Sequence, residues 1–213
     1  MHALCVNAIL WAALSLTHLT GLQDKNAPWR GDDVRRMVEQ LESPARPVFR
    51  QRERLAALVS AKKGSVVADI GAGSGFMSEL FARQVGPSGT VYAVEVNPGL
   101  VAYLTNRMRE RGLSNVRPVL TREDSVDLPL GSVDLAFLCL TYRFMENPRA
   151  SLAGIRDILR SGGELVIVEA EDAEIGGRKK LIREVTGDGL EFLRAEPSPF
   201  LPSDYVVLRF RKP

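Results

Sequence analysis

The chain has 213 residues, 45% of them hydrophobic, which suffices for one sizeable core but not for a second full domain. Its 28 Lys and Arg nearly balance 26 Asp and Glu, a formal charge of +2, so composition supplies no strong field to draw in nucleic acid or an anionic membrane. Both histidines, His2 and His18, and Cys5 lie near the start, and with only Cys139 beyond them the rest of the chain cannot build an internal disulfide, a Cys/His zinc site, a Ser-His-Asp triad or a Cys-His pair.

The first charged side chain is Asp24, and residues 1–22 are apolar apart from scattered Asn, Ser, Thr and His. They read as a hydrophobic leader. One reading is a cleaved signal peptide with Leu19-Thr20-Gly21 as its small-residue exit; the other is an uncleaved anchor, because the usual basic n-region is missing. The cationic Lys25, Arg30, Arg35 and Arg36 all follow the apolar run, which for an anchor would hold the domain on the cytoplasmic side. We favour export, to the periplasm or the medium, over that anchored arrangement; a retained leader would be a route to membrane association.

Residues 23–63 form a helical N-terminal extension. VRRMVEQLE and VFRQRERLAALVSA place apolar residues at three-to-four spacing, and Pro44 and Pro47 divide them into two helices. From residue 64 the pattern changes. VVADI, TVYAVEV, VRPVL, VDLAFLCL and GELVIVEA predict strands, separated by helices near SELFARQV, GLVAYLTNRMRERG and PRASLAGIRDILR, and this alternation implies βαβ units and a parallel sheet. After a helix at RKKLIREVTG, the runs LEFLRAE and YVVLRFRK leave no room for a crossover helix, so they predict an antiparallel hairpin. Cys139, inside DLAFLCL, reads as a small buried hydrophobe.

VVADIGAGSGFMSELFARQ passes from a strand, through Gly71, Gly73 and Gly75, into a helix. Glycines there let a backbone approach a ligand and aim its amides at it, although a tight turn with no ligand has the same composition. A dinucleotide fingerprint needs a third glycine three residues after the second, and that position is Phe76. Glu95, about 24 residues beyond Gly71, stands near the spacing of a ribose-binding acid; a solvated acid at a strand end is the alternative.

The run Asp69-Ile70-Gly71-Ala72-Gly73-Ser74-Gly75 resembles motif I of the class I S-adenosylmethionine-dependent methyltransferases, and the resemblance extends over residues 65–171. In that family the glycine turn passes beneath the methionine part of the cofactor, and the leading acid orients the turn and the cofactor's ammonium group. The resemblance therefore implies cofactor-binding roles for Asp69, Gly71, Ala72, Gly73, Gly75 and Val96, and for Glu95 at the ribose. REDSVDLP resembles the loop Gly-Asp-Ala-x-x-Leu-Pro of the menaquinone-biosynthesis-like methyltransferases, whose acid and following residue contact adenine. Counting back from Leu128-Pro129 carries those roles to Asp124 and Ser125, with Glu123 and Asp127 as alternatives. GSVDLAFLCLTYRFMENPRASLAGIRDILRSGGELVIVE resembles the family's fourth strand, helix and Gly-Gly turn into the fifth strand. It departs at Ser161, where proline is usual, and at Arg143, where many relatives carry histidine, so no histidine-dependent mechanism transfers.

With its closing YVVLRFRK, the chain is most similar to small methyltransferases that often carry an N-terminal export signal. The resemblance implies an α/β, Rossmann-like methyltransferase fold over residues 64–213: a mostly parallel seven-stranded sheet with a C-terminal antiparallel hairpin and helices on both faces. It implies S-adenosylmethionine as cofactor, no metal, no nucleic acid, and methyl transfer to a small-molecule acceptor. Two other classes stay open: a noncatalytic module that binds adenosylmethionine or a partner protein, and an NAD-dependent oxidoreductase, which shares the strand and ribose acid. Tyr142 is a candidate to line the substrate side and Arg143 to pair with an acidic substrate, with ordinary packing or a surface salt bridge as the alternative for each. Residues 27–63 are not needed to complete the sheet, so they are the best candidate for a lid over the crevice, or else a helical arm on the back of the sheet.

Overall fold

In the computed structural model, the described residues are 31–122, 124–171 and 176–213; the leader lies outside them. Among the described residues there are seven strands: β1 Val66–Ile70, β2 Thr90–Glu95, β3 Val116–Leu120, β4 Val133–Cys139, β5 Leu159–Ala170, β6 Glu191–Ala195 and β7 Tyr205–Arg211. The helices among the described residues are α1 Asp32–Leu41, α2 Pro47–Arg50, α3 Arg52–Val59, α4 Phe76–Val85, α5 Pro98–Glu110, α6 Pro148–Ile158 and α7 Gly177–Gly187, with a 3-10 turn at Tyr142–Phe144. None of the described helices is long and apolar enough to cross a membrane.

The strands assemble in the order β3-β2-β1-β4-β5-β7-β6. β1 pairs parallel with β2 and β4, β2 with β3, and β4 with β5, while β7 runs antiparallel to both β5 and β6. The chain order reverses between β1 and β4, and the carboxyl ends of those two strands define the crevice where ligands bind in open α/β sheets. Alternation along each strand sorts the core into two layers. Val67, Phe137, Val166 and Val207 face the layer under α3, α4 and α5, whereas Ala68, Leu138, Ile167 and Leu208 face the layer under α6 and α7. Phe81 of α4 meets Phe137 edge-on at 5.0 Å, fixing that helix against the sheet.

Two local departures from the sequence pattern matter. The second extension helix is interrupted at Gln51, whose φ of −105° and ψ of 15° separate α2 from α3. The fifth strand begins earlier than its apolar run, because its pairing with β4 shifts register between Val133 and Leu135 and accommodates the Gly162-Gly163 pair as a bulge.

The extension packs against the α4 layer. Val48 and Leu55 are fully buried there, and Arg209 of β7 donates to the carbonyls of Leu58 (3.2 Å) and Val59 (3.3 Å). α1 is held more lightly: only Val34 of its residues is buried, and just past its end Glu42 pairs with Arg107 of α5.

Candidate cofactor site at the sheet switch point

The glycine turn is held from both sides of the switch point. The amides of Gly71 and Ala72 donate to the Val94 carbonyl at 2.9 and 3.0 Å, tying the turn to the end of β2. Gly71 has φ 73°, and a Cβ there would run into Thr141, whose Oγ1 would be 2.5 Å away. Thr141 follows β4, so the bare Cα of Gly71 is what lets the two strand ends close up. The residue between them, Leu140, takes φ 55°, a conformation costing a non-glycine residue about 1 kcal/mol, and such local cost gathers at functional sites.

Gly75 serves a different purpose. It is buried, with φ 82°, and a Cβ would collide with Leu104 and stand 2.8 Å from the Met108 Cε, both on α5. Its role is to seat α4 against α5, the packing task that a dinucleotide fingerprint gives to a glycine at the next position. Gly73 lies between these extremes, and its nearest neighbour is Leu41 Cδ1 of α1, 2.9 Å from where a Cβ would be. The extension thus crosses the mouth of the turn, and Phe49 meets Phe76 edge-on at 5.3 Å beside it. Leu41, the last residue of α1, thus lies at the turn, whereas α2 and α3 pack on the sheet face beside α4.

The two acids of the site divide their work differently from the expectation. Glu95, only 7% exposed, accepts the Gly73 amide on Oε2 at 2.9 Å, and the Val96 and Asn97 amides on Oε1 at 2.9 and 3.0 Å. It is the acid that orients the turn. Asp69, the leading acid of the motif, instead accepts from the Ser78 hydroxyl at 2.5 Å and ties β1 to α4. Burial pushes the Asp69 carboxyl up to about 7, with Ser78 pulling it down and the Glu95 charge adding to the rise.

These residues fit a nucleoside. Glu95 Oε2 keeps a lone pair beyond the one given to Gly73, enough to accept from a ribose hydroxyl. Val96 and Leu120, at the adjoining ends of β2 and β3, are 45% and 52% exposed in a sheet whose other apolar side chains are largely covered, and they can wall a planar base. The loop after β3 starts beside them, since the Thr121 amide donates to the Glu95 carbonyl at 3.0 Å. In that loop Ser125 and Asp127 form a small network with Thr121, the Ser125 hydroxyl donating to Asp127 at 3.3 Å, whereas Asp124 points outward and lies 3.9 Å from Arg122. Two buried polar atoms lack a partner among the described residues, Ser74 Oγ in the turn and Glu169 Oε2 at the end of β5. Both stand at the carboxyl edge of the sheet.

The acceptor-side candidates are placed otherwise than expected. Tyr142 is 4% exposed, turned by the 3-10 turn into the α6/α7 layer, and its hydroxyl meets Glu184 of α7, so it braces a helix and does not line the crevice. Arg143 holds the fully buried Glu169 through Nε at 2.9 Å and one terminal nitrogen at 2.6 Å. Burial raises the Glu169 carboxyl and the Arg143 charge opposes that rise. The residues that sequence reasoning missed are Thr141, Glu169 and Leu41. A shallow cleft between α6 and α7, lined by Glu146, Arg149 and Arg183, lies away from the turn.

Comparison with known proteins agrees with this geometry. Residues 68–167 match the family described as Methyltransferase domain. The ubiquinone/menaquinone biosynthesis C-methyltransferase UbiE of Cupriavidus taiwanensis is 29% identical over 114 residues, covering 53% of this chain and 46% of the relative. The chain therefore spans about half the length of the curated relatives it matches. Among solved structures, a SAM-dependent methyltransferase from Aquifex aeolicus superposes with a TM-score of 0.73 at 22% identity, over 84% of this chain and 98% of that one. The [4+2]-cyclase SpnF superposes at 0.67 and 22% identity, over 78% and 82%, so the fold alone does not fix a reaction. Motif, topology and family match agree that residues 68–167 form a methyltransferase domain, similar to the class I S-adenosylmethionine-dependent kind, within the seven-stranded sheet of the described residues.

Proposed function

We propose that the chain transfers a methyl group from S-adenosylmethionine to a small-molecule acceptor. The observation that carries this reading is the arrangement of Glu95, which holds the Gly73 amide with one oxygen while keeping acceptor capacity toward the crevice, beside the exposed apolar pair Val96 and Leu120. When bound, the cofactor's sulfonium supplies a methyl carbon already activated for in-line displacement, so positioning and exclusion of water are the protein's main tasks. Glu95 orients the ribose end, the turn from Gly71 to Gly73 sets the floor, and Leu41 closes over Gly73 from above.

No histidine follows His18, so none in the domain can act as a base. An acidic acceptor, which arrives ionised, suits such a site better than an alcohol or an ammonium. The quinone-biosynthesis enzymes named above are C-methyltransferases; this chain's acceptor has to be read from its own crevice. The test is release of adenosylhomocysteine from adenosylmethionine across a panel of phenols, carboxylic acids, thiols and amines. Turnover on at least one class, absent in Gly73→Val, is expected. Tight cofactor binding with no turnover on any class would instead make the domain a noncatalytic binding module.

A further inference from the structure

The segment at the glycine turn carries a cation with no ion-pair partner among the described residues. Arg46 lies between α1 and α2 and is half-buried. One terminal nitrogen donates to the Leu41 carbonyl at 2.9 Å, which draws the guanidinium back toward the residue that sits on Gly73. Among the described residues no carboxylate lies within ion-pair distance of it. Other arginines of comparable burial are matched: Arg107, Arg143 and Arg209, with side chains 11%, 15% and 8% exposed, hold Glu42 and Glu79, Glu169, and Glu164 and Glu196. Arg52, farther along the same segment, lies over the Phe49 ring at 4.4 Å.

The charge of Arg46 is felt at the carboxyl end of the sheet, at Cys139 and Tyr205, where the carboxylates of Asp69, Glu169 and Asp204 act in the opposite sense. Cys139 ends β4, Tyr205 begins β7, and both pack with Leu140 and Phe200 against the cluster that contains Val48. Burial pushes the Cys139 thiol up to about 12 and raises the Tyr205 phenol, and in each case the charge of Arg46 acts in the opposite sense. The attraction of Arg46 for a thiolate or phenolate there extends to an anion held directly against its guanidinium, where it outweighs the more distant carboxylates. A half-buried guanidinium that spends one donor on the Leu41 carbonyl keeps others for an anion, and its planar fork is suited to a carboxylate.

We propose that Arg46 is the anchor for a ligand carboxylate bound beneath α1, beside the carboxyl end of β4. Two ligands offer that chemistry: the amino-acid tail of the cofactor, in which case the inference rests on the adenosylmethionine reading, and an acidic acceptor, in which case Arg46 is a specificity-determining residue.

Calorimetry on wild type, Arg46→Gln and Arg46→Lys separates them. Adenosylhomocysteine carries the carboxylate and 5′-methylthioadenosine lacks it; benzoate and benzamide form the matching pair for an acceptor, titrated with and without adenosylhomocysteine. If the tail is the ligand, Arg46→Gln weakens adenosylhomocysteine by about tenfold or more, leaves 5′-methylthioadenosine unchanged, and Arg46→Lys recovers part of the loss. If the acceptor is the ligand, both nucleosides bind all variants alike, while benzoate binds wild type and weakens by a similar factor in Arg46→Gln, with benzamide indifferent to the change. Unaltered binding of both adenosylhomocysteine and benzoate in Arg46→Gln, with circular dichroism retained, overturns the proposal. Failure of 5′-methylthioadenosine to bind wild type would count against the nucleoside site itself, and the benzoate arm without nucleoside still decides the role of Arg46.

Discussion

Replacing Glu95 by Gln isolates the contact on which the site depends. Gln retains one carbonyl oxygen, which can go on accepting from the Val96 and Asn97 amides, now at 2.9 and 3.0 Å. Its amide nitrogen must then face the Gly73 N–H, donor against donor, where Glu95 Oε2 accepts at 2.9 Å. The variant also offers a donor in place of an acceptor to a ribose hydroxyl. Losing a hydrogen bond to a charged group costs about 1.5–3 kcal/mol, so nucleoside affinity should fall roughly ten- to hundredfold. The fold should survive, since one turn contact is lost and no cavity opens. Calorimetry with 5′-methylthioadenosine measures the loss, and adenine, which has no ribose, controls for general loosening of the turn. Equal loss for adenine and the nucleoside would remove Glu95 from the ribose, and unchanged affinity for both would refute the whole arrangement.

Other substitutions probe the remaining parts. Gly75→Ala combines a φ of 82° with collision against Leu104 and Met108, so it should cost about 2–4 kcal/mol of stability in urea unfolding; a neutral effect would contradict the packing role. Gly73→Val should abolish adenosylhomocysteine binding while keeping circular dichroism, because its side chain meets Leu41 and the ligand's space together; normal binding would refute the turn as the cofactor floor. Deleting residues through Ser43 removes Leu41 and Glu42 but leaves Val48 and Leu55 in the core, so cofactor affinity and turnover should drop while the urea midpoint stays near wild type; full affinity and activity would refute the lid. Burial holds the Asp69 carboxyl at about 7, above the ordinary aspartate value of about 4, so the native state favours the proton and stability is lost as pH rises from about 4 to 7. Asp69→Asn should cancel that loss, seen as a difference from wild type that grows across the interval; a constant difference would mean that Asp69 does not titrate there.

Strand existence was legible because periodicity reports burial: VVADI and VDLAFLCL alternate between two covered faces and became β1 and β4 with nearly the same limits. The hairpin of β6 and β7 followed from the lack of room for a crossover, but periodicity carries no signal for strand order, and the insertion of β7 beside β5 emerged only from pairing. Motif I was legible as a ligand turn, yet the duties of its residues were not. Asp69 turned toward Ser78 because position 69 alternates onto the α4 side of the sheet, which left Glu95 to hold the turn. Tyr142 looked like a crevice residue from its place after β4, but a 3-10 turn rotated it into the core. Leu41 was hidden for a different reason: its approach to Gly73 depends on tertiary packing, and local spacing holds no record of it.

The central claim is that the crevice between β1 and β4 binds the adenosine and methionine parts of S-adenosylmethionine. It is tested most directly by calorimetric titration of the wild-type chain with S-adenosylmethionine, set against NAD under the same conditions. A saturable one-to-one isotherm with S-adenosylmethionine and none with NAD is the predicted result; saturation by NAD, or by neither, would contradict it.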